Sequence, residues 1–398
     1  ATCFPGAVTS ASSWDVELEQ EVGAAIAVEA QSLGVSTVLG PGVNIKRSPL
    51  CGRNFEYFSE DPFLAGRMGA AWVHGVQSKN VGTSLKHFLA NNQEYIRMTI
   101  NSVVDERTLR EIYMPAFEHI VKTEQPTTVM CSYNRLNGTY LSDYKRFLSD
   151  VLRDEWGFKG IVVSDWGAVN NRSEGIKAGM DLEMPGNNGM SDPGVYKALQ
   201  DGTLTVEDID KVVLRLIRFA YENTVREVKG VKFDIEEHNA IARRAAEGGA
   251  VLLKNDGALP LNAKQNIAVI GKLAKKLRYQ GGGSSHILPT KVTSFTDALD
   301  KAGQKYAYAD GYTLKGEGYK KSLINQAVKT AKGKDAVLLF IGLTDAFESE
   351  GYDRSHIKMP SSHVTLINEI LKVNKNVIVV LSCGSPVEIG DWDKNVKG

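Results

Sequence analysis

The side chains most able to do chemistry fall in two acidic segments and three segments rich in donors or glycine. In Gly160-Ile161-Val162-Val163-Ser164-Asp165-Trp166-Gly167 a carboxylate follows directly on an apolar run, beside an indole. A carboxylate at a strand end can attack an electrophilic carbon, and the indole offers a flat apolar face on which a pyranose ring packs. The same aspartate can equally cap a following helix. Phe347-Glu348-Ser349-Glu350-Gly351-Tyr352-Asp353-Arg354 crowds several carboxylates together. Crowding raises carboxyl pKa values, which suits a general acid; the alternative is an acidic surface loop.

Donors come next. Leu85-Lys86-His87-Phe88, running on to Asn91-Asn92-Gln93-Glu94, offers the paired donors and acceptors that sugar hydroxyls need, unless both basic groups serve only structural bonds. Gly52-Arg53-Asn54-Phe55-Glu56 holds an arginine in a turn, where it can fork onto two adjacent hydroxyls or bridge a local glutamate. Gly281-Gly282-Gly283-Ser284-Ser285 has the glycine of a phosphate loop but lacks the Lys-Ser/Thr that should follow. A flexible loop reaching another domain is the better account.

These residues need elements to hold them. Up to residue 225, short β-branched runs alternate with amphipathic stretches, the rhythm of βα units around a parallel sheet. Strands are expected at 36–39, 83–87, 127–132, 160–164 and 180–184, with a helix over 105–122 opened by Asp105. A closed barrel of this type wants eight strands, so the barrel reads as incomplete at its N-terminus. Residues 226–238 turn charged and aperiodic and read as a linker. From 239 to 398 a helix over 239–253, apolar runs at 267–271, 336–342 and 377–382, and helices over 321–331 and 364–373 indicate an open α/β sandwich domain. The fold class expected is therefore α/β: a (β/α) TIM-like barrel over 1–225 followed by an α/β sandwich.

At 398 residues the chain exceeds one core's usual size, so two domains with a fragment of a third are expected. Its 47 basic side chains balance 47 acidic ones, which leaves no long-range field for nucleic acid or an anionic membrane and favours a neutral partner. Cys3, Cys51, Cys131 and Cys383 are too far apart for a metal or redox motif and read as free, buried thiols; no metal or cofactor is called for. No stretch approaches the roughly 20 apolar residues of a membrane span, and no signal peptide opens the chain. It begins at Ala1, which leaves cytoplasmic, periplasmic and secreted locations all open.

Taken in order, Gly40-Pro41-Gly42-Val43-Asn44, Cys51-Gly52-Arg53-Asn54-Phe55-Glu56, Lys86-His87-Phe88, Asn91-Asn92-Gln93-Glu94, Cys131-Ser132-Tyr133-Asn134, Ser164-Asp165-Trp166 and Glu350-Gly351-Tyr352-Asp353-Arg354 resemble glycoside hydrolase family 3, and within it the two-domain β-glucosidases. The resemblance covers nearly the whole chain. It implies Asp165 as nucleophile and Glu350, rather than Glu348, as acid/base. It implies that Arg53, Lys86, His87, Arg97 and Tyr133 surround a terminal glucosyl unit, with Trp166 as platform and Ser284 reaching in from the second domain.

The histidine motif of the family's β-N-acetylglucosaminidases is absent, since Leu89-Ala90-Asn91-Asn92 follows Lys-His-Phe, and Trp166 leans away from the β-xylosidases. The Asp-Gly-Pro segment that family members carry upstream of Cys3-Phe4-Pro5 is missing, and strands completing the second sheet are expected beyond Gly398. The implied reaction is exo-acting hydrolysis of a β-glucoside or cello-oligosaccharide, as in cellulose degradation, with retention. It needs two carboxyl groups about 5–5.5 Å apart. The expected partner is that small molecule, with a second copy or companion fragment completing the fold. Remaining alternatives are a β-xylosidase or other exo-β-glycosidase, a non-catalytic sugar-binding fragment, and a nucleotide-linked α/β enzyme.

Overall fold

The computed structural model describes residues 1–398. Two apolar cores form and share no residue, one built between Ala11 and Met180 and the other between Ile267 and Val396. The order expected from the sequence rhythm, a TIM-like barrel half and then an α/β sandwich, is the order found.

In the first half, β1 (Thr37–Val38), β2 (Gly82–Phe88), β3 (Thr128–Cys131) and β4 (Ile161–Ser164) pair in parallel and in chain order. Every residue of β3 and β4 is buried, which is why those runs are apolar without alternation. Helices Val16–Ser32, Pro62–Gln77 and Pro115–Glu124 cover the outside. The first two approach so closely that a Cβ on Gly23 would lie 2.5 Å from the Trp72 carbonyl oxygen. Glycine is what lets the two backbones meet.

Some expectations change. The strand at 36–39 shrinks to two residues, and the one at 180–184 to a single parallel bridge between Val163 and Leu182. The helix over 105–122 is interrupted: Asp105 caps a first turn through the Thr108 amide, Leu109–Tyr113 widens to a π-turn, and an α-helix restarts at Pro115. Proline has no N–H to continue the ladder, so the backbone opens just before it. The helix expected over 239–253 runs Ile235–Gly248, started by Asp234 and ended at the Gly248-Gly249 pair. Its His238 reaches Glu29 of helix Val16–Ser32 at 2.8 Å.

In the second half, β5 (Ile267–Ile270), β6 (Tyr306–Ala309), β7 (Ala336–Gly342) and β8 (Val377–Ser382) form a parallel sheet in the order β8-β7-β5-β6. Strand β6 was not expected, because its Tyr-Ala alternation is short and half-polar. The chain leaves β5 on one side and returns to β7 on the other, so a crevice opens at the C-terminal ends of those two strands. The glycine-rich loop follows β5 and the acidic segment follows β7.

Candidate active site

Asp165 stands one residue past β4, its amide on the Cys131 carbonyl at 3.0 Å. Its Oδ1 accepts the Trp166 amide at 2.7 Å, so it closes a tight turn, while the next helix is capped by Asn171. The other oxygen, Oδ2, is buried without a hydrogen-bond partner and faces His87 Nε2 at 3.7 Å. Burial raises this carboxyl above its ordinary value, against the opposing pull of the Trp166 amide, the Tyr133 hydroxyl, Arg53 and Lys86. An oxygen with no partner, ringed by cations, is free to attack carbon. Trp166 beside it keeps 62% of its surface open, so its ring is available for stacking.

The donors come from β2 and the turn before helix Pro62–Gln77. His87 is buried, with Nδ1 3.3 Å from the Tyr57 hydroxyl and 3.4 Å from Asn44 Oδ1. Burial, together with Arg53, Lys86 and Arg97, holds its pKa well below the usual range, so the ring is neutral. Burial likewise lowers Lys86, partly countered by Glu56, Asp165 and Glu350 around it. Arg53 is 1% exposed and does make the local bridge, through Nε to Glu56. Its Nη1, otherwise unpartnered, lies 3.7 Å from Glu350 Oε1.

Glu350 arrives from the second half. Its Oε1 accepts Arg97 Nη1 at 2.7 Å, and its Oε2 accepts the Ser284 amide at 2.7 Å and the Ser284 hydroxyl at 2.5 Å. Arg97 also stacks over the Tyr133 ring at 4.5 Å. Tyr133 and Arg97 thus stand between the two carboxylates, Tyr133 acting on the Asp165 carboxyl and Arg97 bound to Glu350. The structure brings all nine expected residues into one locus.

One expectation is corrected. Burial alone would raise the Glu350 carboxyl, but Arg53, the Ser284 hydroxyl and amide, and Arg97 outweigh it and hold it down at about 2. The other carboxylates of the segment do not crowd it, because they turn away, and the carboxylate that does approach, Glu94 of the first half, shares Arg97 Nη1 with it. Glu348 is 0% exposed and binds Arg278 at 2.8 Å, the Gly384 amide at 2.9 Å and the Ser385 hydroxyl at 2.6 Å. Asp353 accepts amides of the first half: Gly52 at 3.0 Å, Glu94 at 2.9 Å and Tyr95 at 2.8 Å.

The glycine run proves to be a matter of close approach. A Cβ on Gly281 would lie 2.3 Å from the Phe55 ring, and one on Gly283 2.4 Å from Glu350 Cβ. The loop lies against the acidic segment rather than open as a phosphate cradle, and Gly282 accepts the Glu350 amide at 2.9 Å. Sequence reasoning missed Glu94 and Asp353 as site residues. Glu94 is buried and pairs with Arg97 at 2.8 Å; its spacing of three from Arg97 is the one local signal that could have found it. Asp353 acts on residues far away in sequence; its place in the Glu350-Gly351-Tyr352-Asp353-Arg354 motif was visible, but its partners were not.

The family model described as the Glycosyl hydrolase family 3 N terminal domain matches residues 1–219, and that of the Glycosyl hydrolase family 3 C-terminal domain matches residues 250–398. "Thermostable beta-glucosidase B" of Acetivibrio thermocellus is 48% identical over 401 residues, taking in 100% of this chain and 53% of that protein. An "Exo-alpha-(1->6)-L-arabinopyranosidase" of Bifidobacterium breve is 50% identical over 409 residues, taking in 100% of this chain and 54% of that protein. The crystal structure of a Bifidobacterium adolescentis beta-glucosidase superposes with a TM-score of 0.96 at 49% identity, over 100% of this chain and 59% of that one. The chain spans about half the length of the relatives it matches.

Proposed function

Because this chain belongs to glycosyl hydrolase family 3, we propose that its site performs retaining, exo-acting hydrolysis of terminal β-D-glucosyl residues. The observation that carries the reading is the meeting at one locus of Asp165, whose Oδ2 is buried without a hydrogen-bond partner, and Glu350, which Arg53 and Arg97 of the first half face. It joins a nucleophile and a proton carrier from two separately packed halves. The assigned roles are nucleophile for Asp165, acid/base for Glu350, hydroxyl binding for Arg53, Lys86, His87, Arg97 and Tyr133, platform for Trp166, and support of Glu350 for Ser284. The division of labour we propose is a barrel over 1–225, a linker over 226–238 and an acid/base-bearing domain over 239–398.

In the first step Asp165 attacks the anomeric carbon, the bond to the leaving oxygen breaks, and Glu350 gives that oxygen its proton. In the second, Glu350 takes a proton from water, the water oxygen displaces Asp165, and glucose departs with the configuration it had. Glu350 is ionised in the open site, so the sugar must change its surroundings. Hydroxyls that draw Arg97 away remove a cation, and a ring that excludes water adds to the desolvation; both raise the carboxyl toward a general acid's range. Donors from Lys86 and Arg97 strengthen as charge develops in the transition state.

A second reading is favoured by the arabinopyranosidase relative. An α-L-arabinopyranoside presents an anomeric centre of the same spatial sense, without the hydroxymethyl group and with the C4 hydroxyl axial where glucose has it equatorial, so the same pair of carboxyls serves both and the sugar-binding donors must tell them apart. Aryl β-D-glucopyranoside, α-L-arabinopyranoside, β-D-xylopyranoside and β-N-acetylglucosaminide assayed side by side separate the readings. The highest kcat/KM is expected on the glucoside. A higher value on the arabinopyranoside selects the second reading, and glucose binding without turnover of any substrate selects a non-catalytic role. Asp165→Ala should abolish turnover; normal activity in that variant ends the assignment.

A further inference from the structure

The segment carrying Glu350 is tied to the barrel half by two carboxylates that exchange amides across the junction. Glu94, on the loop after β2, takes the Gly351 amide on Oε2 at 2.8 Å. Asp353, two residues past Gly351, takes the amides of Glu94 and Tyr95 in return, together with that of Gly52. The fit is tight. A Cβ on Gly52 would lie 1.9 Å from the Tyr352 carbonyl oxygen and 2.3 Å from that of Ser349, so neither backbone can shift inward. The Arg354 amide adds a bond to the Leu50 carbonyl at 2.8 Å.

Glu94 does more than hold backbone. The oxygen that takes the Gly351 amide also takes Arg97 Nη1 at 2.8 Å, and the same Nη1 donates to Glu350 Oε1 at 2.7 Å. One buried carboxylate thus fixes both the backbone next to Glu350 and the cation that grips its side chain.

We propose that Glu94 and Asp353 form a reciprocal clasp that sets the aim of Glu350, with Glu94 a positioning residue for proton transfer rather than a group that touches the reacting atoms. This rests on the glycosidase reading above. Without the clasp the acid/base segment keeps its anchorage in the second half, through Glu348, but loses its alignment to Asp165. Nucleophilic attack is then affected little and protonation of the leaving oxygen much.

Leaving-group dependence reads that difference. Glu94→Gln is the first variant, because it keeps size and loses the charge that binds Arg97. Asp353→Asn is the second, because it sets an NH2 group against amide donors. Each is expected to lower kcat/KM about 100-fold on phenyl β-D-glucoside, whose phenolate needs a proton, the scale on which a general acid is felt. On 2,4-dinitrophenyl β-D-glucoside, which leaves unaided, the loss should stay below about 10-fold. Amide hydrogen exchange over 346–354 should quicken in both variants.

Unchanged exchange in that segment would overturn the clasp, whatever the activities. Quickened exchange with equal losses on both substrates would overturn its role in proton transfer. A parent protein inactive on every glycoside, with quickened exchange in the variants, would remove the glycosidase reading and the catalytic role with it while leaving the junction contact standing.

Discussion

Asp165 and Glu350 are pushed in opposite directions, and that difference has consequences for stability as well as chemistry. Glu350 titrates at about 2 in the folded protein, below the roughly 4.3 of an unfolded glutamate. Its ionised form therefore stabilises the fold at neutral pH, and that contribution is lost as pH falls through about 2. Asp165 is raised by burial, so its ionisation penalises the fold, increasingly as pH climbs past about 3.9. Ser284→Ala should lower Tm at neutral pH by about 2 °C, for a lost charge-assisted bond of about 1 kcal/mol at a partly exposed site. Asp165→Asn should raise Tm at the same pH. The Asp165→Asn gain should shrink as the buffer is acidified toward about pH 4 and vanish below it, whereas the Ser284→Ala loss should shrink only from about pH 4 downward. Calorimetry across that range checks the pair; a lower Tm in Asp165→Asn contradicts the account of its burial.

At the scale of elements, what was legible is what local pattern specifies. Apolar runs ending in polar turns located β2, β3 and β4 and hence the strand ends where Lys86, His87 and Asp165 stand. Strand β6 escaped because four residues of alternating Tyr and Ala are too short a run to stand out, and the break at Pro115 was a proline inside an otherwise helical pattern. The loop after β7 was the hardest to read, since two glutamates one residue apart look alike. Their fates differ because the backbone bends at Glu348 and turns at Glu350, so the pair loses the common face that residues two apart would share in an extended strand. Glu348 turns into the second half onto Arg278, and Glu350 turns out onto Arg97. Glu348→Gln should therefore destabilise the protein by about 3 kcal/mol or more, leaving a buried guanidinium unpaired. Glu350→Gln should also cost stability, but less, because its site is more open to solvent than that of Glu348, and it should remove most of the activity on poor leaving groups. Urea titrations of the two variants check this; equal stability would mean that both glutamates face the crevice.

The whole molecule places its chemistry between two cores that share no residue. Composition and length made two bodies legible, but not how they dock, because docking depends on contacts such as Asp353 to Glu94 that span more than 250 residues. The junction around the site is held largely by hydrogen bonds and ion pairs, with Phe55 packed against Gly281 and Gly384 as its apolar wedge. Such interfaces are weaker than the cores they join, and relative motion is their default behaviour. Urea should then part the site before it melts either half. With a slope of about 2 kcal/mol per molar, a junction weaker by 1 kcal/mol or so fails about 0.5 M earlier. Activity measured on an aryl glucoside should accordingly fall at lower urea than the far-ultraviolet circular dichroism signal, and should return at once on dilution from that window. Coincident curves would show that the halves unfold as one unit, and that the geometry joining Asp165 to Glu350 is as firm as the cores themselves.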